Sequence, residues 1–266
     1  MRKFRNLIIL VAFLPFQIKA QLAFSFSADA GYAGSTVKSA ELPIFLASYN
    51  GYNGSTMSTP FKMEQSAARG KYVNFAVGIG SSKGKFFLGF GRYLVRTPAN
   101  EAKFNSGEAR GISVELKDAS TEMGYRFDAG RLTGGLQMDL ILRTVSIYSE
   151  YVFPDGSRSL SADHMLNGVY TNFRLQIGLG ANLGYKILPH LYVIGKCDYV
   201  FQTDKSHPEY HDFQDLQMFR DVDYLPRDMA GYVANSWNSV GNSISNDIHG
   251  LRFGIGLQFM ISNNEE

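Results

Sequence analysis

The sequence predicts an all-β fold: an antiparallel transmembrane β-barrel of about eight strands, with short periplasmic turns and long extracellular loops. Three observations predict it. Apolar and polar residues alternate with period two in segment after segment, the connections alternate between short and long, and the polar face is small and mostly uncharged.

The chain has 266 residues, and its first twenty read as a signal peptide rather than as part of the barrel. Arg2, Lys3 and Arg5 form a positive n-region, and Leu7 to Phe16 is an apolar core. Ile18-Lys19-Ala20 puts neutral side chains, Ile18 and Ala20, where a signal peptidase reads. Roughly ten apolar residues are too few for a helix across a bilayer, which needs about 20. Cleavage would leave Gln21 first, and no cysteine lies near that point to carry a lipid anchor. The domains expected are therefore the leader, 1–20, and a barrel, 21–266. Removing the leader takes four bases and no acid, so the net charge moves from +2 to −2. That balance gives no reason to expect nucleic acid. Cys197 is the only cysteine, so no internal disulfide can form.

Eight segments alternate. Near 22–32, Leu22, Phe24, Phe26, Ala28, Ala30 and Tyr32 stand between small or polar residues. Val73, Phe75, Val77 and Ile79 do the same near 71–80. The segment 85–96 is a strand whose phase the pattern leaves open: if Phe86, Leu88 and Phe90 face one way, Arg92 faces that way too. Met123, Tyr125 and Phe127 mark 112–128, and Leu136, Met138, Leu140 and Leu142 mark 131–149. The longest run, 168–187, sets Phe173, Leu175, Ile177, Leu179 and Leu183 against Arg174, Gln176, Gly178, Gly180 and Asn182. Segments 190–203 and 248–261 complete the set. Ser81 to Gly84, Asp128 to Arg131 and Leu188 to His190 are tight turns. The connections 33–70, 97–111, 150–167 and 204–247 are long and rich in Gly, Ser and Asn.

A soluble sandwich or lipocalin-like barrel would also alternate, but its outer face should be dense in Lys and Glu. Here the polar face is Gly, Ser, Asn and Gln with a few charges of both signs, which suits a narrow interior. Aromatic residues gather toward strand ends (Tyr32, Tyr125, Phe127, Tyr185, Tyr199, Phe201), as interfacial girdles do. In this pattern the chain resembles the small eight-stranded outer-membrane barrels of the OmpA, OmpX and OmpW class. The resemblance spans nearly the whole mature chain and implies a Gram-negative-type outer membrane. It departs in one place. Such barrels usually finish on an aromatic residue, whereas Phe259 here is followed by Met260, Ile261 and the polar tail Ser262 to Glu266.

With the apolar faces toward lipid, the inward charges at mid-depth are Asp29, Glu122, Asp139 and Asp198 against Arg143, Arg174, Lys196 and Arg252. An eight-stranded barrel is only wide enough inside to be filled by side chains, so mutual pairing is expected. Arg252 on the last strand and Asp29 on the first are expected to face each other where the barrel closes. A proton or ion path is the competing reading of the same charges. Farther out the polarity inverts: Ile112, Val114 and Leu116, with Ile141, Val145 and Ile147 on the next strand, point inward. They form an apolar outer vestibule, which is either a small core capped by loop residues such as Ile44, Phe45 and Leu46 or Leu216, Met218 and Phe219, or a pocket for a hydrophobic molecule.

No catalytic constellation emerges. His207, Glu209 and His211 lie in the last long loop, where Pro208 breaks any helix that would align them on a metal. No His-x-Ser pair sits on a strand for lipid chemistry, and neither His164 nor His249 has an evident orienting partner. Gly78, Gly80 and Gly84, like Gly178, Gly180 and Gly184, lack the spacing of a phosphate loop. Cys197 shares the parity of Val193 and Tyr199 and should face lipid, and Trp237 in the last loop reads as a packing residue. The expectation is a non-enzymatic, structural or loop-presenting barrel without cofactor or metal, monomeric, with outer-membrane lipid as its partner. The alternative is binding or passage of a small hydrophobic ligand. An enzyme acting on outer-leaflet lipid is a distant third.

Overall fold

A computed structural model describes residues 23–38, 41–63, 67–81, 83–161, 167–201 and 248–263. Residues 1–22 and 202–247 lie outside these residues. In chain order the elements are β1 (Ala23–Ser35), α1 (Glu41–Asn53), β2 (Met57–Thr59), β3 (Ala68–Gly80), β4 (Gly84–Arg96) and β5 (Asn100–Phe104). Then come β6 (Ala109–Ala129), β7 (Leu132–Val152), β8 (Arg158–Ser159), β9 (Gly168–Leu188), β10 (Leu191–Val200) and β11 (Gly250–Ser262).

Eight of these strands form a closed antiparallel ring: β1, β3, β4, β6, β7, β9, β10 and β11, with β11 returning to β1. They are the eight segments that alternate in the sequence. At the closing seam Gly31 lies opposite Gly256, and a Cβ on Gly31 would come within 2.1 Å of the Ile255 carbonyl. Two backbones can pass this closely only without side chains, so glycine is required here. Two of the tight turns also need left-handed backbone, at Gly130 (φ 65) in one and His190 (φ 64) in the other.

The ring is inside out relative to a soluble protein. Phe75, Val77, Phe90, Leu140, Ile177 and Leu257 are exposed on its outer face, whereas Asn74, Gln137, Gln176, Asn182 and Gln258 are buried within. An apolar surface that encircles the molecule is far larger than water tolerates on a monomer, and hydrocarbon is the solvent that accommodates it. The barrel is a transmembrane one.

The pattern of β4 is now settled. Phe86, Leu88, Phe90, Arg92 and Leu94 point outward, while Phe87, Gly89, Gly91, Tyr93 and Val95 point in. Arg92 thus stands on the lipid-facing side. A basic residue there costs about 2–4 kcal/mol at the bilayer midplane and about 0–1 near the interface, so Arg92 places this part of β4 near the interface rather than the midplane.

Strands β6, β7 and β9 are each 21 residues long. At about 3.3 Å per residue that is roughly 70 Å of strand. A crossing needs only about 9–11 residues. Their outer halves therefore rise into water, where β5 pairs with β6, β2 with β5, and β8 with β7. The first long connection carries helix α1, an element the sequence pattern does not announce. Pro43 sits in its first turn, where backbone N–H groups lack helical partners and a proline is tolerated. Leu42, Leu46 and Tyr49, spaced for one helical face, are buried.

Unheated protein in detergent should run on gels at a different position from boiled protein and give a β-dominated circular dichroism spectrum. A stable monomer in detergent-free buffer would contradict the transmembrane barrel.

Candidate functional site

The bore is crossed at mid-height by an ionic network. Arg252 on β11 reaches carboxylates on three other strands: Asp139 on β7, Asp198 on β10 at 3.1 Å, and Asp118 on β6 at 3.5 Å. Since β11 and β6 lie four strands apart in the ring, this side chain ties opposite walls together. Its guanidinium also lies 4.0 Å above the ring of Tyr93 on β4. Arg143 holds the same Asp118 through two bonds, Nε to Oδ1 at 2.8 Å and Nη2 to Oδ2 at 2.7 Å.

Nearby, Lys196 bridges Asp29 at 2.9 Å and Glu122 at 3.4 Å. Asn74 donates to Glu122 at 2.9 Å, and Gln137 donates to Asp198 at 2.9 Å. Each of these charged residues is at most 4% exposed. A desolvated charge is tolerated only when paired and hydrogen-bonded, and the polar interior residues complete that requirement.

Seven of the eight inward charges read from the sequence thus lie in one connected interior region. The eighth, Arg174, is half-buried on β9 opposite Arg143. The pairing at the seam differs from expectation. Asp29 lies opposite Gln258, and Arg252 lies opposite Ser35, six residues along β1. That offset is about 20 Å at strand rise, so Arg252 and Asp29 do not face each other. Alternation determines which face a residue occupies but not its register against the next strand. Asp118 was missed as a network member, although it shares the inward parity of Glu122 and Leu116 and could have been found by that rule. Arg126, also buried, lies deeper, with its guanidinium 5.2 Å from the ring of Phe87.

Above the network the interior turns apolar. Ile112, Val114, Leu116, Val145 and Ile147 meet in one cluster, each no more than 7% exposed. Ile141 is equally buried but deeper, where its Cδ1 would lie 3.2 Å from a Cβ on Gly178. Leu42, Leu46 and Tyr49 of α1 and Phe61 fill the same cluster, so the first loop packs into the mouth. Asn50 fastens the segment after the helix by bonding both the N–H and the carbonyl of Phe61, each at 2.9 Å. Arg110 joins the helix to the strands, donating to the Tyr49 hydroxyl at 3.2 Å, to Ser149 at 2.9 Å and to Asn167 at 3.1 Å. Burial pushes the Tyr49 hydroxyl above its usual range despite the Arg110 charge, so it stays a neutral acceptor. Of the expected loop caps, Leu46 is in place, whereas the side chains of Ile44 and Phe45 and residues 216–219 lie outside the described residues.

The remaining candidates scatter. Cys197 is exposed on the outer face. His249 pairs through its backbone with Lys38 at 3.2 Å. His164, His207, Glu209, His211 and Trp237 lie outside the described residues.

No protein-family model and no curated protein sequence matches the chain. Among solved structures it is similar to Ail, the attachment invasion locus protein of Yersinia pestis, at 11% identity and TM-score 0.43, covering 89% of this chain and 98% of that one. It is also similar to Neisserial surface protein A, at 14% identity and TM-score 0.40, covering 89% and 97%. A third is the outer membrane protease OmpT of Escherichia coli, at 11% identity and TM-score 0.34, covering 90% and 96%. The barrel itself is established by its closed hydrogen-bonded ring and its apolar exterior.

Removing the hub should leave three buried carboxylates short of a partner. Arg252→Ala is expected to destabilise the barrel by about 3–5 kcal/mol in denaturant unfolding from lipid vesicles. Double-mutant cycles should give a coupling of about 1–3 kcal/mol for Arg252→Gln with Asp198→Asn, and likewise for Lys196→Gln with Asp29→Asn. Strict additivity in both cycles would show that the pairs do not form.

Proposed function

We propose that the protein is a closed, monomeric, non-enzymatic barrel of a Gram-negative-type outer membrane, exported by a cleaved signal peptide, that presents its outer loops to external partners. The observation that supports this is the state of the bore. Arg252, Lys196 and their carboxylates span it from wall to wall, and the outer mouth above them is packed by α1. An ion would have to break several desolvated salt bridges to pass, which makes the charges a plug rather than a path. No cofactor enters this reading.

In planar bilayers, wild-type protein should produce no stepwise conductance, and Arg252→Ala should at most add rare, short openings. A steady open channel from the wild type would overturn the plugged-barrel reading.

The second reading, uptake of a small hydrophobic molecule at the outer mouth, draws on the apolar cluster beneath α1. The residues meant to line a vestibule already pack against one another and the helix, so a ligand must displace α1 before it enters. Under the plugged reading, Val114→Asp should cost about 3–4 kcal/mol of stability and loosen the first loop to proteolysis. Wild-type protein should meanwhile show no saturable uptake of an apolar fluorophore. Saturable uptake that a folded Val114→Asp variant loses would establish the ligand-binding reading instead.

A further inference from the structure

On the outer wall, Lys71 of β3, Arg92 of β4 and Lys117 of β6 border one depression of about 530 Å³. Its walls are apolar, formed by Val73, Leu94, Leu142 and Phe173. The register brings the cations together: Arg92 pairs with Val73 and Ala119, while Leu94 pairs with Lys71 on one side and Lys117 on the other. All three side chains are exposed on the lipid-facing surface. Lys71 and Arg92 make no ion pair among the described residues, and Lys117 meets Glu115 at 2.8 Å. Asp118 also borders the depression, but its carboxylate turns inward to Arg143 and Arg252 and is 2% exposed.

The placement of these charges is uneven. On the outward positions of the other five strands, Leu132 to Thr144, Phe173 to Ile187, Leu191 to Tyr199, Leu251 to Ile261 and Phe24 to Tyr32 carry no charged residue. On β4 the order outward from the membrane is Phe90, Arg92, Leu94, so the guanidinium lies between apolar neighbours rather than beyond them. A cation so placed is stabilised by an anion that itself sits at the boundary between hydrocarbon and water. Arg binds such an oxyanion through parallel N–H bonds, and two lysines add point charges around it.

We propose that this depression is a binding site for a phosphorylated lipid of the outer leaflet. The headgroup phosphate lies among Lys71, Arg92 and Lys117, and an acyl chain lies along Val73, Leu94, Leu142 and Phe173. The site holds a lipid against one sector of the barrel, β3–β4–β6, and so gives the protein a preferred side toward its membrane. It is independent of whether the bore is plugged.

The test uses purified protein in detergent micelles, titrated with monophosphoryl lipid A and with the same lipid after enzymatic removal of its phosphate. Binding is read by native mass spectrometry. The phosphorylated form should bind about tenfold more tightly, and raised salt should narrow the difference. The Lys71→Gln, Arg92→Gln, Lys117→Gln triple variant should lose the preference, while a Lys62→Gln, Lys103→Gln control in the outer loops should keep it. Arg92→Gln alone, which adds no charge and cannot unseat the interior network, should also reduce it. Equal binding of the two lipids overturns the proposal, as does an unchanged preference in Arg92→Gln or in the folded triple variant. Competition by inorganic phosphate as strong as that by the lipid assigns the site to free phosphate and overturns the lipid.

Discussion

A narrow barrel in hydrocarbon has nowhere to put an unpaired charge, and the interior of this one is organised by that constraint. Arg252 satisfies it by drawing carboxylates from β6, β7 and β10 onto one guanidinium, and Lys196 does the same for β1 and β6. Apart from Arg252 with Asp198 on the adjacent β10, these contacts link strands that share no backbone hydrogen bonds. The ladder holds neighbours side by side, while the ion pairs hold opposite walls at a set separation. The aromatic rings of Tyr72 and Tyr93, stacked with centroids 5.3 Å apart, lie under Lys196 and Arg252 and fill the space the charged groups leave.

Along the barrel axis the interior changes solvent logic twice. At the periplasmic end Lys85 pairs with Asp128 at 3.2 Å near the turns. The ionic layer occupies the middle. Above it, where the strands leave the membrane, the outer face turns polar and the inner face becomes an ordinary hydrophobic core with α1 as its lid. The same strands therefore serve as a membrane protein in their lower halves and a soluble one in their upper halves. The lid places loop residues on a packed base, so the outer hairpins rise from a fixed platform rather than from an open pore. Their rims are laced by exposed ion pairs, Arg158 with Glu101 and Glu150, and Arg96 with Glu150, each of small worth in water.

Much of this was legible in the residues themselves. Period-two alternation determines strand, face and count, because successive side chains point to opposite sides whatever the neighbours do. It therefore identified the eight strands, the inward charges and the inverted polarity of Ile112, Val114, Leu116, Val145 and Ile147. The phase of β4 resisted because Phe86-Phe87 and Tyr93-Leu94-Val95 are apolar on both faces. Phe87 and Tyr93 are the inward ones, each under an arginine of another strand, and only the assembled barrel supplies those arginines.

Register, partner choice and the lid were decided by tertiary structure alone. A strand can slide by two residues and keep every side chain on its face, so alternation cannot tell Ser35 from Asp29 as the residue across from Arg252. Which carboxylates an arginine reaches depends on how opposite walls meet across the bore, a distance that exists only once the ring has closed. Helix α1 carries Pro43, Gly51 and the asparagines Asn50 and Asn53, a composition that reads as loop. Burial of Leu42, Leu46 and Tyr49 in the apolar mouth is what stabilises it as a helix, and that mouth forms only when β6 and β7 stand beyond the membrane.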